Sequence, residues 1–547
     1  MRIGLGQFDA VVGDLEGNAE RMRGIYSQAR KQGVELLLFP ELAVCGYPPE
    51  DLLLKKHFLE ENREIVEKLA ADCPQGTIVV GFADLFRGNA YNCAGVLKNG
   101  RLASVYRKGL LPNTGVFDER RYFEQGTKPL VIKVDALSIA VTVCMDIWNI
   151  DWLVKFFKST GRIDLLLNIS ASPFHLGKLQ LRQDIISQCA TQFKCPVCYC
   201  NLVGGQDELV FDGRSIIADD SGKIVAMAKP FEEDLLIADI ETKGQAASVT
   251  PLRQATAGPI SMLEEMYEAL VLGTRDYVRK NGFSKVLIGL SGGIDSAVTA
   301  AIAAAALGAE NTIGITMPSQ FNSPDTISDA EKCAKNLGVK FMTIPIGQVL
   351  EKFSGSLEHV PGWDSKGIAY ENLQARIRGT ILMSLSNQMH AMVLTTGNKS
   401  ETAVGYATLY GDTAGGFAVI KDVFKTMVYK LARYINDINK REVIPQSVIE
   451  RVPTAELRPN QKDTDSLPEY ELLDKILKRY VEEDKSAQQI IEEGLPKEVV
   501  NRVIGMVDRN EYKRRQSPPG VKITPKAFGR DRRLPITNRY NHRGNSK

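Results

Sequence analysis

The sequence predicts two α/β units joined in one chain, on three observations. At 547 residues the chain is too long for one ordinary hydrophobic core. Its first 240 residues alternate many short apolar runs with few long helical ones, as in two packed sheets with helices outside. After residue 262, short apolar strands alternate with longer helical stretches, the pattern of an open, mostly parallel sheet.

In chain order, RIGLGQF opens as a strand, and Asn18 is the expected cap of a helix. Met22, Ile25, Tyr26 and Ala29 recur at 3.6-residue spacing along one face of that helix, before Gly33 stops it. Strands follow at 36–39 and 77–83, then a hairpin around Lys98-Asn99-Gly100, then strands at 137–144, 164–170 and 197–203. Residues 241–261 lack periodicity and are read as a linker. The second unit begins with an amphipathic helix, continues into KVLIGL and the loop GLSGGIDS (289–296), and enters an alanine-rich helix. Runs at 314–319, 340–345 and 392–397 are its further strands. The expected boundaries are therefore 1–240, a linker over 241–261, 262–520, and a basic tail over 521–547. From Glu511 to the end there are 11 Lys or Arg against 2 acidic residues, so the part beyond about 520 is expected to be mobile or bound in an oligomer.

Composition narrows the function classes. With 44% hydrophobic and 24% charged residues this is an ordinary globular composition, and a net charge of +2 gives no reason to require nucleic acid. Nine cysteines are scattered through apolar runs such as CPVCYC, which suggests thiols in a reducing compartment rather than a disulfide scaffold. Cys195 and Cys198 have the spacing of half a zinc site, but no second pair matches, so strand residues are the expected reading. The N-terminus has no long apolar signal core, and the alanine-rich stretch 297–308 is too short to span a bilayer. A cytoplasmic protein that does not engage membranes is expected.

In the front half, Cys144 ends a strand in VTVCMDIWN, and neither His57 nor His175 adjoins a cysteine. A cysteine nucleophile needs a base and an electropositive neighbourhood. Glu41 in FPELAVCGYP and Lys108 in YRKGLLPNTGVFDERRYF are isolated charges at other strand or loop ends. Each alone reads equally well as a satisfied surface charge. Taken together, however, PEL, the RK–L–N–G–FDE–RYF segment and VC-x-DIW resemble the nitrilase superfamily over nearly all of residues 1–240. That resemblance implies an α-β-β-α sandwich that hydrolyses amides through a thioester. Glu41 would be the base, Lys108 the oxyanion support and Cys144 the nucleophile. It also implies that Glu119 positions Lys108 or the amide nitrogen, against the alternative of a turn carboxylate paired with Arg120 or Arg121. SASPFHLGK is similar to the glutamine-holding segment of glutaminase members, with Ser172 and Lys178 as the positions carried over. Thr114 stands where many of these glutaminases have tyrosine, which alters the local contact with glutamine.

In the back half, strand, glycine loop and helix follow in the order that presents backbone N–H groups to phosphate. The loop lacks the Gly-Lys-Ser/Thr ending of ordinary nucleotide triphosphatases. SGGIDS instead resembles the ATP pyrophosphatase group, of adenine nucleotide alpha hydrolase fold, which cleaves between the α and β phosphates. The resemblance implies that Gly289, Leu290, Ser291, Gly292, Gly293, Ile294, Asp295 and Ser296, with Thr396 of TTGNKSE, bind ATP. Asp295 makes sense there with Mg²⁺ between it and phosphate, and Glu401 is a second expected metal ligand. Lys399 is read as a candidate for neutralising phosphate, and Asp412 as either a turn residue or a group near the incoming nitrogen. AYENLQARIRGTILMSLSN and QKDTDSLPEYELLD extend the resemblance to NAD⁺ synthetases over 262–515. On that basis Asn372, Glu401 and Lys513 contact deamido-NAD⁺.

Together the two halves resemble the glutamine-dependent NAD⁺ synthetases. The implied substrates are glutamine, ATP and deamido-NAD⁺, with Mg²⁺ as cofactor. A homo-oligomer with an internal route for ammonia is also implied. Three alternatives stay open at this level: an amidotransferase with another carboxylate acceptor, a nitrilase fused to a nucleotide-sensing module, and an inactive scaffold.

Overall fold

The computed structural model describes residues 1–243, 246–252 and 260–540. It divides into two compact units, Met1–Ile260 and Ser261–Lys547.

In the first unit a seven-stranded sheet faces a six-stranded one. The seven-stranded sheet is built outward from Arg2–Gln7, which pairs in parallel with Leu36–Leu38 and antiparallel with Asp234–Lys243. Between the sheets, Leu5, Leu38 and Val79 of one pack with Val141, Leu167, Ile169 and Cys200 of the other. The outer face of the first sheet carries the helices Leu15–Lys31 and Lys56–Asp72, and that of the second carries Ile150–Phe157 and Lys178–Phe193. This is the expected α-β-β-α sandwich. Strands with both faces covered read as unbroken apolar runs, which is why LLLF and DLLLNIS were visible in the sequence.

The Lys98–Arg101 hairpin forms as expected, with Asn99 at φ 53° and Gly100 at φ 74°, the pair of positive values a two-residue turn of this hand requires. Asn18 does not cap its helix. Asp14 does, accepting the Gly17 N–H, while the Asn18 side chain is buried and bridges Val11 and Val44 backbone groups. The segment read as a linker begins as structure: Asp234–Lys243 continues past residue 240, and Ala246–Pro251 pairs with it at the sheet edge.

The second unit contains a wholly parallel five-stranded sheet in the order Lys340–Thr343, Thr312–Thr316, Lys285–Gly289, Ala391–Thr395, Phe417–Ala418. The connections from Lys285–Gly289 and from Ala391–Thr395 leave in opposite directions across the sheet. Their carboxyl ends therefore flank the crevice where such sheets bind ligands. Ile294–Leu307 and Ile368–Met389 pack close to the central strands, and a largely helical layer closes around Leu473, Leu477, Val503 and Val507.

The cationic segment after 520 departs from expectation. Val521, Ile523 and Phe528 are buried, and the buried Lys522 pairs with Asp531 at 2.6 Å. Lys526 and Arg532 pair as well, with Asp484 and Asp508, so residues 521–532 are packed into the unit rather than mobile. Residues 541–547 of the expected tail lie outside the described residues. Among the described residues, no helix is long and apolar enough to cross a membrane, and all nine cysteines are free thiols.

Candidate active sites

In the first unit, Leu137–Val143 delivers Cys144 to the start of the short helical turn Cys144–Trp148. Cys144 has φ 41°, a left-handed conformation that costs a side-chain-bearing residue energy and here turns the chain sharply out of the strand. Burial and the Glu41 carboxylate push the thiol pKa up, while Lys108 acts against them. This favours the neutral thiol, so attack calls for a base.

Glu41 and Lys108 are fully buried and meet at 2.7 Å. The Lys108 ammonium also donates to both oxygens of Glu119 at 2.8 Å. Asn92 Nδ2 and the Ala171 N–H each donate to Glu41 at 2.8 Å, and the Tyr47 hydroxyl donates to Glu119 at 3.0 Å. A buried ion pair is tolerable only when its remaining lone pairs are satisfied in this way. Burial opposes the Lys108 charge, but Glu119 and Glu41 outweigh it and raise its pKa. Burial pushes Glu119 up to about 7, with Lys108 opposing and Glu41 adding to the rise. Arg120 and Arg121 turn elsewhere, to the Leu111 carbonyl and to Asp51. Of the two readings of Glu119, the geometry matches the one directed at Lys108.

The other sequence-predicted residues divide. Ser172 is buried, and Arg182 donates to both its hydroxyl (3.2 Å) and its carbonyl (2.8 Å). Lys178 Nζ lies 4.1 Å from the centre of the Trp148 ring, which places it against the last residue of the nucleophile turn. Thr114 is exposed, on the loop whose Pro112 carbonyl accepts the Glu119 N–H. Nothing brings its side chain to the Glu41–Lys108 pair.

In the second unit, a cavity of about 650 Å³ opens at the carboxyl ends of the parallel strands. Gly289 to Ser296, Asn372, Thr396, Glu401, Asp412 and Lys513 all line it. Gly292 has φ 84°, and a β-carbon there would stand 2.1 Å from the Thr326 carbonyl, so only glycine lets the loop close. The loop then enters Ile294–Leu307, whose first amides are free to meet an anion. Asp295 and Glu401 are brought together by Lys425, whose Nζ donates to Asp295 and, at 3.2 Å, to Glu401. Asn398 caps Glu401 with its oxygen and donates to Asp295 at 3.0 Å. Burial pushes Glu401 up to about 7, with Lys425 opposing and Asp295 reinforcing.

Deeper along the cavity, Thr408 donates to Asn372 at 2.7 Å, and Lys513 Nζ donates to the Gly405 and Ala407 carbonyls at 2.9 Å. Burial raises Asp412 to about 6. Lys399 does not face the cavity. It is fully buried on the opposite side of its short helix, against Asp422 and Glu482, so the reading of it as a phosphate-neutralising group is wrong.

Residues 2–247 match the carbon-nitrogen hydrolase family, and residues 266–517 the NAD synthase family. The chain is 46% identical to the glutamine-dependent NAD(+) synthetase of Thermotoga maritima, over 99% of each chain. This chain belongs to the glutamine-dependent NAD⁺ synthetases. It is 45% identical to the Acinetobacter baylyi synthetase over 98% of each chain. The solved structure of the Acinetobacter baumannii synthetase in complex with ADP is 42% identical, covers 98% of each chain and superposes with a TM-score of 0.79.

Sequence reasoning about this synthetase missed two residues that organise its sites. Asp146, two positions after Cys144, accepts the Val143, Gly109 and Leu110 amides at 2.8–3.0 Å and the Tyr106 hydroxyl at 2.8 Å. It thereby ties the nucleophile turn to the loop that follows Lys108. The signal was its place inside VC-x-DIW. Lys425 in VFKT carried no such signal, because its partners lie 130 and 24 residues away.

Proposed function

We propose that the first unit hydrolyses glutamine at Cys144 and that the second uses the ammonia to convert deamido-NAD⁺ to NAD⁺ at the expense of ATP. The observation that carries this reading is the buried Glu41–Lys108–Glu119 cluster beside a buried, sharply turned cysteine. It gives a thiol nucleophile its base and its cation without histidine.

Glu41 takes the Cys144 proton as sulfur attacks the amide carbon of glutamine, and the Lys108 ammonium stabilises the oxyanion. The carbon–nitrogen bond breaks as that proton passes to the departing nitrogen, leaving a thioester and ammonia. Glu41 then deprotonates water, which attacks the thioester and releases glutamate with the thiol restored. Ser172 and Lys178 are assigned to the amino-acid end of glutamine. Glu119 holds Lys108 in place.

In the second unit, the glycine loop and the Lys425 ammonium hold the leaving pyrophosphate. The substrate carboxylate attacks the α-phosphorus to give an acyl adenylate, and ammonia then displaces AMP from its carbonyl carbon. Asn372 and Lys513 are assigned to deamido-NAD⁺, and Thr396 to ATP. Asp295 and Glu401, brought together on the Lys425 ammonium at the cavity wall, are two carboxylates that would hold Mg²⁺ with substrate phosphates completing the set. When bound there it supplies neutralisation of phosphate charge. A cytoplasmic homo-oligomer is part of the same reading, and light scattering of the full-length chain tests the assembly.

The deciding experiment incubates the chain with deamido-NAD⁺, MgATP and glutamine labelled with ¹⁵N in the side-chain amide. Mass spectrometry is expected to show one ¹⁵N in NAD⁺, with AMP and pyrophosphate formed in equal amounts. Label appearing only as free ammonium, with no NAD⁺, would refute the reading.

A further inference from the structure

Two residues assigned to the phosphate site of the second unit sit at helix starts that need outside support. Glu401 sits on Lys399–Val404, a helix of 6 residues, and Lys425 is the first residue of the 15-residue helix Lys425–Asn439, directly after an irregular turn. An isolated helix of 6 residues does not hold its shape in water, and the first turn of a longer one has unsatisfied amides, so tertiary contacts must fix both. Some of those contacts come from the helix Tyr470–Leu477, where Asp474 accepts from Ser400 and Thr426, and others come from the end of the chain.

Lys399 is fully buried and donates to Thr524 Oγ1 at 2.6 Å, to the Lys526 carbonyl at 3.0 Å and to Glu482 at 2.7 Å. It also pairs with Asp422 at 2.8 Å. Asp422 in turn accepts the Ile523 and Thr524 amides at 2.8 and 2.7 Å and the Thr524 hydroxyl. Lys399 lies two residues before Glu401, and Asp422 three before Lys425. The Lys399 N–H donates to the Val423 carbonyl at 2.9 Å, which joins the two elements directly. The segment is itself anchored by the buried Ile523 and Phe528.

We propose that residues 521–528 form a clasp that sets the spacing between Glu401 and Lys425, with Lys399, Asp422 and Thr524 as its positioning residues. Lys399 acts on the adenylation site through the chain and touches no substrate. Thr524 is the joint, because its hydroxyl accepts from the ammonium and donates to the carboxylate. A buried, fully satisfied network of this kind fixes one geometry. Removing one member leaves its partners in place but loosely held. The proposal rests on the second unit being the site of adenylation.

The test uses the full-length chain, with Thr524→Val removing the hydroxyl at nearly constant volume and Thr524→Ser retaining it. Arg533→Ala, at an exposed position, controls for tail charge. Synthesis from ammonium chloride, deamido-NAD⁺ and MgATP is followed by pyrophosphate release, and amide hydrogen exchange is followed across 396–404 and 421–428. Thr524→Val is expected to lower kcat by about 10-fold, the scale seen when the groups that orient a ligand are removed. The KM for ATP should change little, and exchange should be faster in both segments. Thr524→Ser should restore both readouts to within about 3-fold of wild type, and a hydroxyl-dependent recovery of that kind separates positioning from mere packing. Wild-type kcat in Thr524→Val would overturn the proposal. So would a loss expressed only in the KM for ATP, or a loss equally large in Thr524→Ser. If the wild-type chain itself releases no pyrophosphate under these conditions, it is the adenylation reading that fails.

Discussion

Lys108 Nζ stands 2.8 Å from both carboxylate oxygens of Glu119, so this pair is held as a two-toothed contact rather than a point contact. The same ammonium reaches Glu41 at 2.7 Å. One cation thus serves two buried carboxylates, and the second of them is relieved by a proton more readily than an ordinary glutamate. That is why burial carries Glu119 up to about 7 from 4.5.

A stability effect follows, with a definite sign. Between pH 4.5 and about 7 the folded state holds a proton on Glu119 that the unfolded chain has released. Glu119 therefore contributes stability below pH 4.5 that is lost as pH rises through 7. Glu119→Gln removes that dependence. Chemical denaturation of the first unit, followed at pH 5 and pH 7.5, should show a smaller difference between the two pH values in the variant. The difference removed is up to about 3 kcal/mol. Glutamine hydrolysis should fall as well, because an amide holds Lys108 less firmly. An unchanged pH dependence of stability would exclude Glu119 as the titrating group.

Cys144→Ala separates the two chemistries. Glutamine-driven synthesis should be lost, by at least about 1,000-fold, since the thioester can no longer form. Synthesis from added ammonium salts should remain near wild type. Both rates are measured in the same assay by NAD⁺ formation. Equal loss of the two, with circular dichroism unchanged, would contradict the division of labour.

Asp146→Asn tests the carboxylate that joins the nucleophile turn to the Lys108 loop. Asparagine cannot accept from three backbone amides and the Tyr106 hydroxyl with a single oxygen, so buried donors are left unpaired. The expected cost is about 3 kcal/mol of stability in the first unit. Glutamine hydrolysis should drop much further than ammonium-driven synthesis. A variant as stable as wild type by urea denaturation would show that the four donors find other partners.

How legible all this was depends on whether a residue's partners are close in sequence. GLSGGIDS was visible because strand, turn and helix are consecutive, and Gly292 is demanded by a local φ and a nearby carbonyl. Cys144 was visible as a strand end. Lys425 was not, because a lysine at a helix start normally faces solvent, and its partner Asp295 is 130 residues earlier. Lys399 was not legible either, because its motif neighbour Glu401 points to a different side. On a helix of 6 residues, positions two apart point to different sides. Residues 521–532 were misread from their charge, since pairing of Lys522 with Asp531 and burial of Ile523 leave no mark on composition.

Asp295→Asn should raise the Mg²⁺ concentration needed for pyrophosphate release and slow adenylation. In this cavity Asp295 is bridged by Lys425 to Glu401, so neutralising it also leaves that ammonium with a single carboxylate partner. Glutamine hydrolysis assayed without ATP should be nearly unaffected. A Mg²⁺ titration of pyrophosphate release that overlays wild type would count against Asp295 as a metal ligand.

Lys513 is the most exposed to an alternative explanation, because it holds the Gly405 and Ala407 carbonyls and could be no more than a brace for that loop. Two observations favour a contact with substrate. Lys513 lines the cavity together with Asn372, and burial lowers its pKa while Asp412 opposes, so an anionic partner would restore what desolvation takes from its charge. A charge-assisted contact contributes roughly 1.5–3 kcal/mol, so Lys513→Ala should raise the KM for deamido-NAD⁺ by about 10-fold or more. A brace would lower kcat with both glutamine and ammonium and leave the deamido-NAD⁺ KM alone, whereas a substrate contact shifts that KM selectively relative to the KM for ATP. Arg533→Ala again controls for the charge of the C-terminal region. If Lys513→Ala matches that control in synthesis from both nitrogen sources, Lys513 has no part in binding the dinucleotide.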